Sequence, residues 1–177
     1  AYIHNLEPFW DHYWKNGEND KLGWRLEYNM KHRGDVYATH GLGPVAQALD
    51  IHRGDRMKTL VAMDTKSVVG KSLVEERTGQ PCENFRNGDH TTTLIRTENG
   101  KVIEIQHDVM TPQPYNRLYQ LTGTKGFANK YPIEGYALDA KQLNASGVAP
   151  EVDNLNSHSF MPKKDMEALV QKYQHPI

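Results

Sequence analysis

Thr91-Thr92-Thr93-Leu94-Ile95-Arg96-Thr97 and Lys101-Val102-Ile103-Glu104-Ile105-Gln106-His107 are two runs rich in β-branched residues, joined by Glu98-Asn99-Gly100. Thr, Val and Ile suit a pleated, half-buried surface, and an Asn-Gly pair supplies the positive-φ turn that a tight hairpin needs. The stretch predicts an antiparallel hairpin. His90 and His107, on its two arms, read as surface or cross-strand residues. Residues 117–124 and 126–131 suggest further strands, meeting at Gly123-Thr124-Lys125-Gly126.

Working outward, the period changes to that of helices. Residues 39–50 predict a helix that Thr39 can cap, with Val45, Ala46, Ala48 and Leu49 as apolar contacts and Pro44 tolerated only near the first turn. Residues 67–77 predict another, carrying Val68, Val69, Leu73 and Val74 and closed by Gly79 and Pro81. Met57-Lys58-Thr59-Leu60-Val61-Ala62-Met63 reads as a short buried strand or helix stub. Residues 8–24 hold Phe9, Trp10, Tyr13, Trp14 and Trp24, broken by Asn16-Gly17 and Gly23, and read as an ordered aromatic loop. Residues 139–160 are polar and irregular, and residues 162–173 predict a last amphipathic helix with Met166, Leu169, Val170 and Tyr173 on one face. Helices, then strands, then a helix give an α+β fold with an open, mainly antiparallel sheet and flanking helices.

Composition narrows the function classes. The chain has 177 residues, 37% apolar and 24% charged, as a single globular domain would have. Its 21 basic and 22 acidic residues are interspersed, and a net charge of −1 leaves no electrostatic footprint for nucleic acid or an anionic membrane. No apolar run is long enough for a transmembrane helix. Cys82 is the one cysteine, which excludes an internal disulfide framework and a cysteine-built metal site. Ala1-Tyr2-Ile3-His4 reads as a strand already under way, so the expectation is a piece of something longer or a chain whose signal has been removed.

Gly41-Leu42-Gly43-Pro44-Val45-Ala46 spells G-x-G-x-x-A, but the polar lead-in 36–40 is no buried parallel strand, so it reads as a glycine-rich helix entry. The nine histidines lack ligand spacing, and no metal is expected. Tyr37-Ala38-Thr39-His40 places His40 at a helix N-terminus, where a neutral imidazole could accept and donate a proton; a histidine that only hydrogen-bonds the helix end is the competing reading. Arg25 beside Trp24 could hold a polar ligand or be an ordinary surface guanidinium. Tyr115 and Tyr119 read as packing tyrosines with polar tips.

Arg25, the run Tyr37–Gln47, Arg53-Gly54-Asp55-Arg56-Met57, Glu83–Thr91 and Tyr115–Gln120 together closely resemble glycoside hydrolase family 109, across most of residues 1–135. The resemblance implies the C-terminal, substrate-side and oligomerisation domain (residues 1–177) of an NAD-dependent α-N-acetylgalactosaminidase of the glucose–fructose oxidoreductase-like superfamily, with a Rossmann domain upstream. It implies oxidation of the sugar, elimination of the aglycone, addition of water and reduction, a route outside the usual two-carboxylate scheme. Carried over, His40 is the acid/base, Arg25, Tyr37 and Tyr119 contact the sugar, and Tyr37, Ala38, Thr39 and His40 also face NAD. Also implied are a homo-oligomer assembled through the sheet, export to a bacterial periplasm, and no turnover by this chain alone. A sugar oxidoreductase of the same superfamily, and a carbohydrate-binding or oligomerisation module without activity, stay open beside it.

Overall fold

The computed structural model describes residues 1–16 and 21–176; Gly17, one of the expected breaks in the aromatic segment, lies outside them. The fold is α+β, and its backbone packing divides into two units, Ala1–Arg117 and Leu118–Ile177.

The predicted hairpin is the centre of the first unit. Strands β5 (His90–Thr97) and β6 (Val102–Asp108) pair antiparallel, with Gly100 at φ +81° in the connection. β4 (Met57–Asp64) adds antiparallel to β5, and β1 (Tyr2–Ile3) adds parallel to β6, which places Tyr2 beside His107. One face of this sheet is covered. Helix α2 (Ala38–Ala48) lays Leu42, Val45 and Ala46 on Ile95, Ile103 and Ile105, joined by Leu49, Ile51 and Met57. A Cβ on Gly41 would stand 2.9 Å from Ile105 Cγ2, so this glycine lets the helix approach the sheet. The other face is open: Val61, Met63, Leu94 and Val102 are all exposed there.

The edge position of β4 corrects one expectation. The run 57–63 predicts a short buried strand or helix stub, yet it forms an edge strand, and Leu60, Val61 and Met63 are 59%, 59% and 75% exposed. Helix α2 differs in detail too. It begins at Ala38 without a side-chain cap, with Thr39 inside it and Pro44 past its first turn. A proline there withdraws the N–H that would bind the carbonyl of His40 one turn earlier.

Residues 8–16 of the aromatic segment are ordered, as expected, but more helical. A short 3-10 turn (Glu7–Phe9) leads into a π-helical turn (Trp10–Trp14), which buries Trp10 and Trp14 with Leu6, Leu26, Leu73, Val74, Phe85 and Met110. Lys15–Asn16 (β2) and Lys21–Leu22 (β3) pair antiparallel, and α1 (Trp24–Lys31) follows. The sequence reading passed over α1, although Leu26, Asn29 and Met30 show its helical spacing; Trp24, exposed, obscured it. Helix α3 (Val69–Thr78) ends at Gly79 with φ +66°, as predicted. Asp89 caps its start, accepting N–H bonds from Val68, Val69 and Gly70 at 2.9–3.0 Å.

The second unit is a three-stranded antiparallel sheet of β7 (Tyr119–Gly123), β8 (Gly126–Lys130) and β9 (Gly135–Ala137). α4 (Ala140–Ala145) falls where irregular chain is expected, and β9 lies just before that stretch; Asp139 caps α4 by accepting the Gln142 N–H at 2.8 Å. Helix α5 (Lys163–Tyr173) packs Met166, Ala168 and Leu169 on Leu143, Val148 and Met161, while Val170 and Tyr173 of its expected apolar face are exposed. Among the described residues, no helix is long and apolar enough to cross a membrane.

Candidate functional site

Three segments of the first unit converge at the N-terminal end of α2. The entry to the helix is set by two asparagines. Asn87, wholly buried, donates to Asn29 Oδ1 at 2.8 Å and accepts the Gly34 N–H at 3.0 Å, fixing the turn before Asp35. Asp35 Oδ1 then accepts the Tyr37 N–H at 3.0 Å, and the His40 N–H donates to the Tyr37 carbonyl at 2.9 Å to form the first helical turn. Asn87 and Asp89 belong to the motif 83–91, whose role is thus to tie α1, α3 and the approach to α2 together.

Onto this turn pack rings from the sheet. Tyr2 of β1 stacks on His40 with centroids 4.7 Å apart and planes 14° from parallel. Tyr37 lies 5.5 Å from Tyr2 and 6.1 Å from His40. His107 of β6 closes the group, 5.8 Å from Tyr37 and 6.0 Å from Tyr2. The Arg117 guanidinium carbon stands 4.5 Å over the Tyr2 ring, and its Nε donates to the Tyr115 hydroxyl at 2.6 Å. Tyr2 and His107 are buried, Tyr37 is half-buried and His40 is exposed, so the stack runs from the core to the surface and ends in an imidazole.

The expectation that His107 is a surface residue is corrected: it is 1% exposed, although cross-strand neighbours flank it as foreseen. Burial holds its imidazole down to about 4, against partial opposition from the Asp108 charge. Asp35, with a side chain 8% exposed, is pushed up from the usual carboxylate range by burial, against the Tyr37 N–H that favours its charged form. Its Oδ1 is 3.8 Å from His107 Nε2. Among the described residues, Asp35 Oδ2 and both ring nitrogens of His107 have no hydrogen-bond partner.

Of the residues singled out in the sequence, Tyr37 and His40 meet in this stack. Arg25 is on α1, its guanidinium carbon 4.3 Å over the Trp24 ring. Tyr119 opens β7 in the second unit, where burial raises its phenol. The sequence reading missed Tyr2, Asp35 and His107. His107 could have been found by alternation, since Ile103, Ile105 and His107 are successive inward positions of one strand. The G-x-G-x-x-A letters lie inside α2 with Gly41 against Ile105, so they do not form a phosphate cradle.

Comparison with known proteins agrees with the resemblance and extends it over residues 139–177. A family model described as glycosyl hydrolase 109, C-terminal domain, matches residues 7–177. Over its whole length the chain is 84% identical to glycosyl hydrolase family 109 protein 5 of Phocaeicola vulgatus, covering 34% of that protein. It is 60% identical to family 109 protein 1 of the same organism and 58% identical to a family 109 protein of Porphyromonas gingivalis, covering 36% of each. The chain thus spans about a third of the length of the curated relatives it matches. It belongs to glycosyl hydrolase family 109, whose C-terminal domain its residues 7–177 match.

Proposed function

We propose that this chain is the substrate-side part of an NAD-dependent glycosidase that releases terminal α-linked N-acetylgalactosamine, with His40 moving the proton at the glycosidic oxygen. The observation that carries the reading is the exposed His40 imidazole on a buried, close-packed ring stack. A proton-transfer group needs access to substrate together with a fixed orientation, and stacking on Tyr2 supplies the second without closing off the first. His40 donates a proton to the departing oxygen and, returned to the neutral imidazole, accepts one from the incoming water. Tyr37 borders it, and Tyr37 and Arg25 are the proposed sugar contacts of this unit.

The flat rings of Tyr37 and His40 suit the nicotinamide end of NAD, whereas the phosphates find no cradle at residues 41–46. This supports Tyr37–His40 facing the reactive ring and residues outside this chain holding the rest. When bound, NAD would supply reversible hydride exchange with the sugar. The open sheet face is the surface for a second copy: Val61, Met63, Leu94 and Val102 form its apolar part, with Arg96 and Glu104 available as opposite charges across an isologous contact.

The test is to give the complete protein carrying this chain an aryl α-N-acetylgalactosaminide together with NAD. Free sugar without net NADH is the expected result. Accumulating NADH with a ketone product would assign a sugar oxidoreductase instead, and binding without turnover a carbohydrate-binding module.

A further inference from the structure

We propose that Asp35 and His107 are a buried positioning pair for the Tyr37–His40 segment, with the Asp35 carboxylate as the counter-charge that stabilises His40 when it carries a proton. The inference rests on the acid/base reading of His40 and adds two residues that the motif does not contain.

The geometry is the argument. Asp35 and His107 come from the loop before α2 and from β6, and both side chains are at least nine-tenths buried. At 3.8 Å they are within ion-pair range but too far apart for a hydrogen bond. Three of their polar atoms have no hydrogen-bond partner among the described residues. A buried polar atom without a partner destabilises the fold, and a pair that only packed the interior would be served as well by apolar residues. Unsatisfied buried groups are expected where a site does chemistry.

Their neighbours show what the pair does. Asp35 holds the Tyr37 N–H, which starts the turn that carries His40, and its charge interacts with that of His40. His107 presses its ring face toward Tyr2 and Tyr37. Around Asp35 stand the Tyr37 N–H, His40 and His107; around His107 stand Asp35, Asp108 and His90. Arg117 lies over Tyr2. Near neutral pH His107 is uncharged, since burial holds it down to about 4, so it does not compete with His40 for the Asp35 charge. Asp35 therefore acts through both backbone and charge, and His107 through packing.

The experiment uses the complete protein and compares Asp35→Asn, Asp35→Glu and His107→Gln with His40→Ala, after melting curves have established that each is folded. Asn keeps an acceptor for the Tyr37 N–H and removes the charge. Asp35→Asn is expected to lower kcat at least about tenfold. It should also move the inflection that vanishes in His40→Ala to lower pH, because a nearby opposite charge has been removed. Asp35→Glu should return the inflection while kcat stays reduced. His107→Gln should lower kcat with the inflection unmoved. If His40→Ala retains full turnover, the acid/base reading itself fails. If His40→Ala is inactive while Asp35→Asn keeps both the kcat and the pH profile of the parent, the positioning pair alone is overturned.

Discussion

A histidine sealed between strands can take up a proton only by bringing a charge into an apolar interior. His107 is in that position, flanked in register by Tyr2 on one strand and Thr91 on another. Its ordinary value is 6.5 and its folded value about 4, lowered by burial. Between those values the unfolded chain binds a proton that the folded chain does not. Stability therefore falls as pH drops from about 6.5 towards about 4, by about 1.4 kcal/mol for each unit crossed. Asp35, raised by burial, acts in the opposite sense over its own range. The slope is accordingly read as the difference between parent and His107→Phe. Melting temperatures across this window should fall more steeply in the parent, and parallel curves would remove His107 from the pH dependence. At this scale the sequence disclosed Tyr37 and His40, because a histidine beside a glycine-rich helix entry is legible locally. Asp35 and Tyr2 were not, because their significance comes only from the convergence of separate segments.

Elements were legible where turn chemistry is strong. Asn99-Gly100 placed the hairpin, and Gly79 placed the end of α3. The reading failed where burial had to be inferred from apolarity alone. β4 is apolar and yet an edge strand, since nothing in its composition states how many neighbours it will have. An exposed apolar face on a sheet is a liability that proteins usually cover. With a second copy as the cover, Val61→Lys combined with Leu94→Lys places like charges across the contact. Sedimentation of the complete protein should then shift from an oligomer towards the monomer while the fold is kept. A parent that is already monomeric at all concentrations, or a variant that sediments as the parent does, would remove the open sheet face as the contact.

At the scale of the molecule, α+β order was visible as a change of period along the chain, from helices to strands and back. The division into two packing units was not, because no linker-like stretch marks residues 117–118. Family membership was carried by local motifs within residues 1–135, while the match over 139–177 rests on relatives rather than on any distinctive chemistry there. His40, at the exposed end of the ring stack, is proposed to transfer the proton in glycoside cleavage. Its most direct test is kcat for sugar release by the complete protein and its His40→Ala variant, at equal folding and saturating NAD. A fall of about 10²–10⁴-fold is expected, the range for a general acid–base group. An unchanged kcat would contradict it.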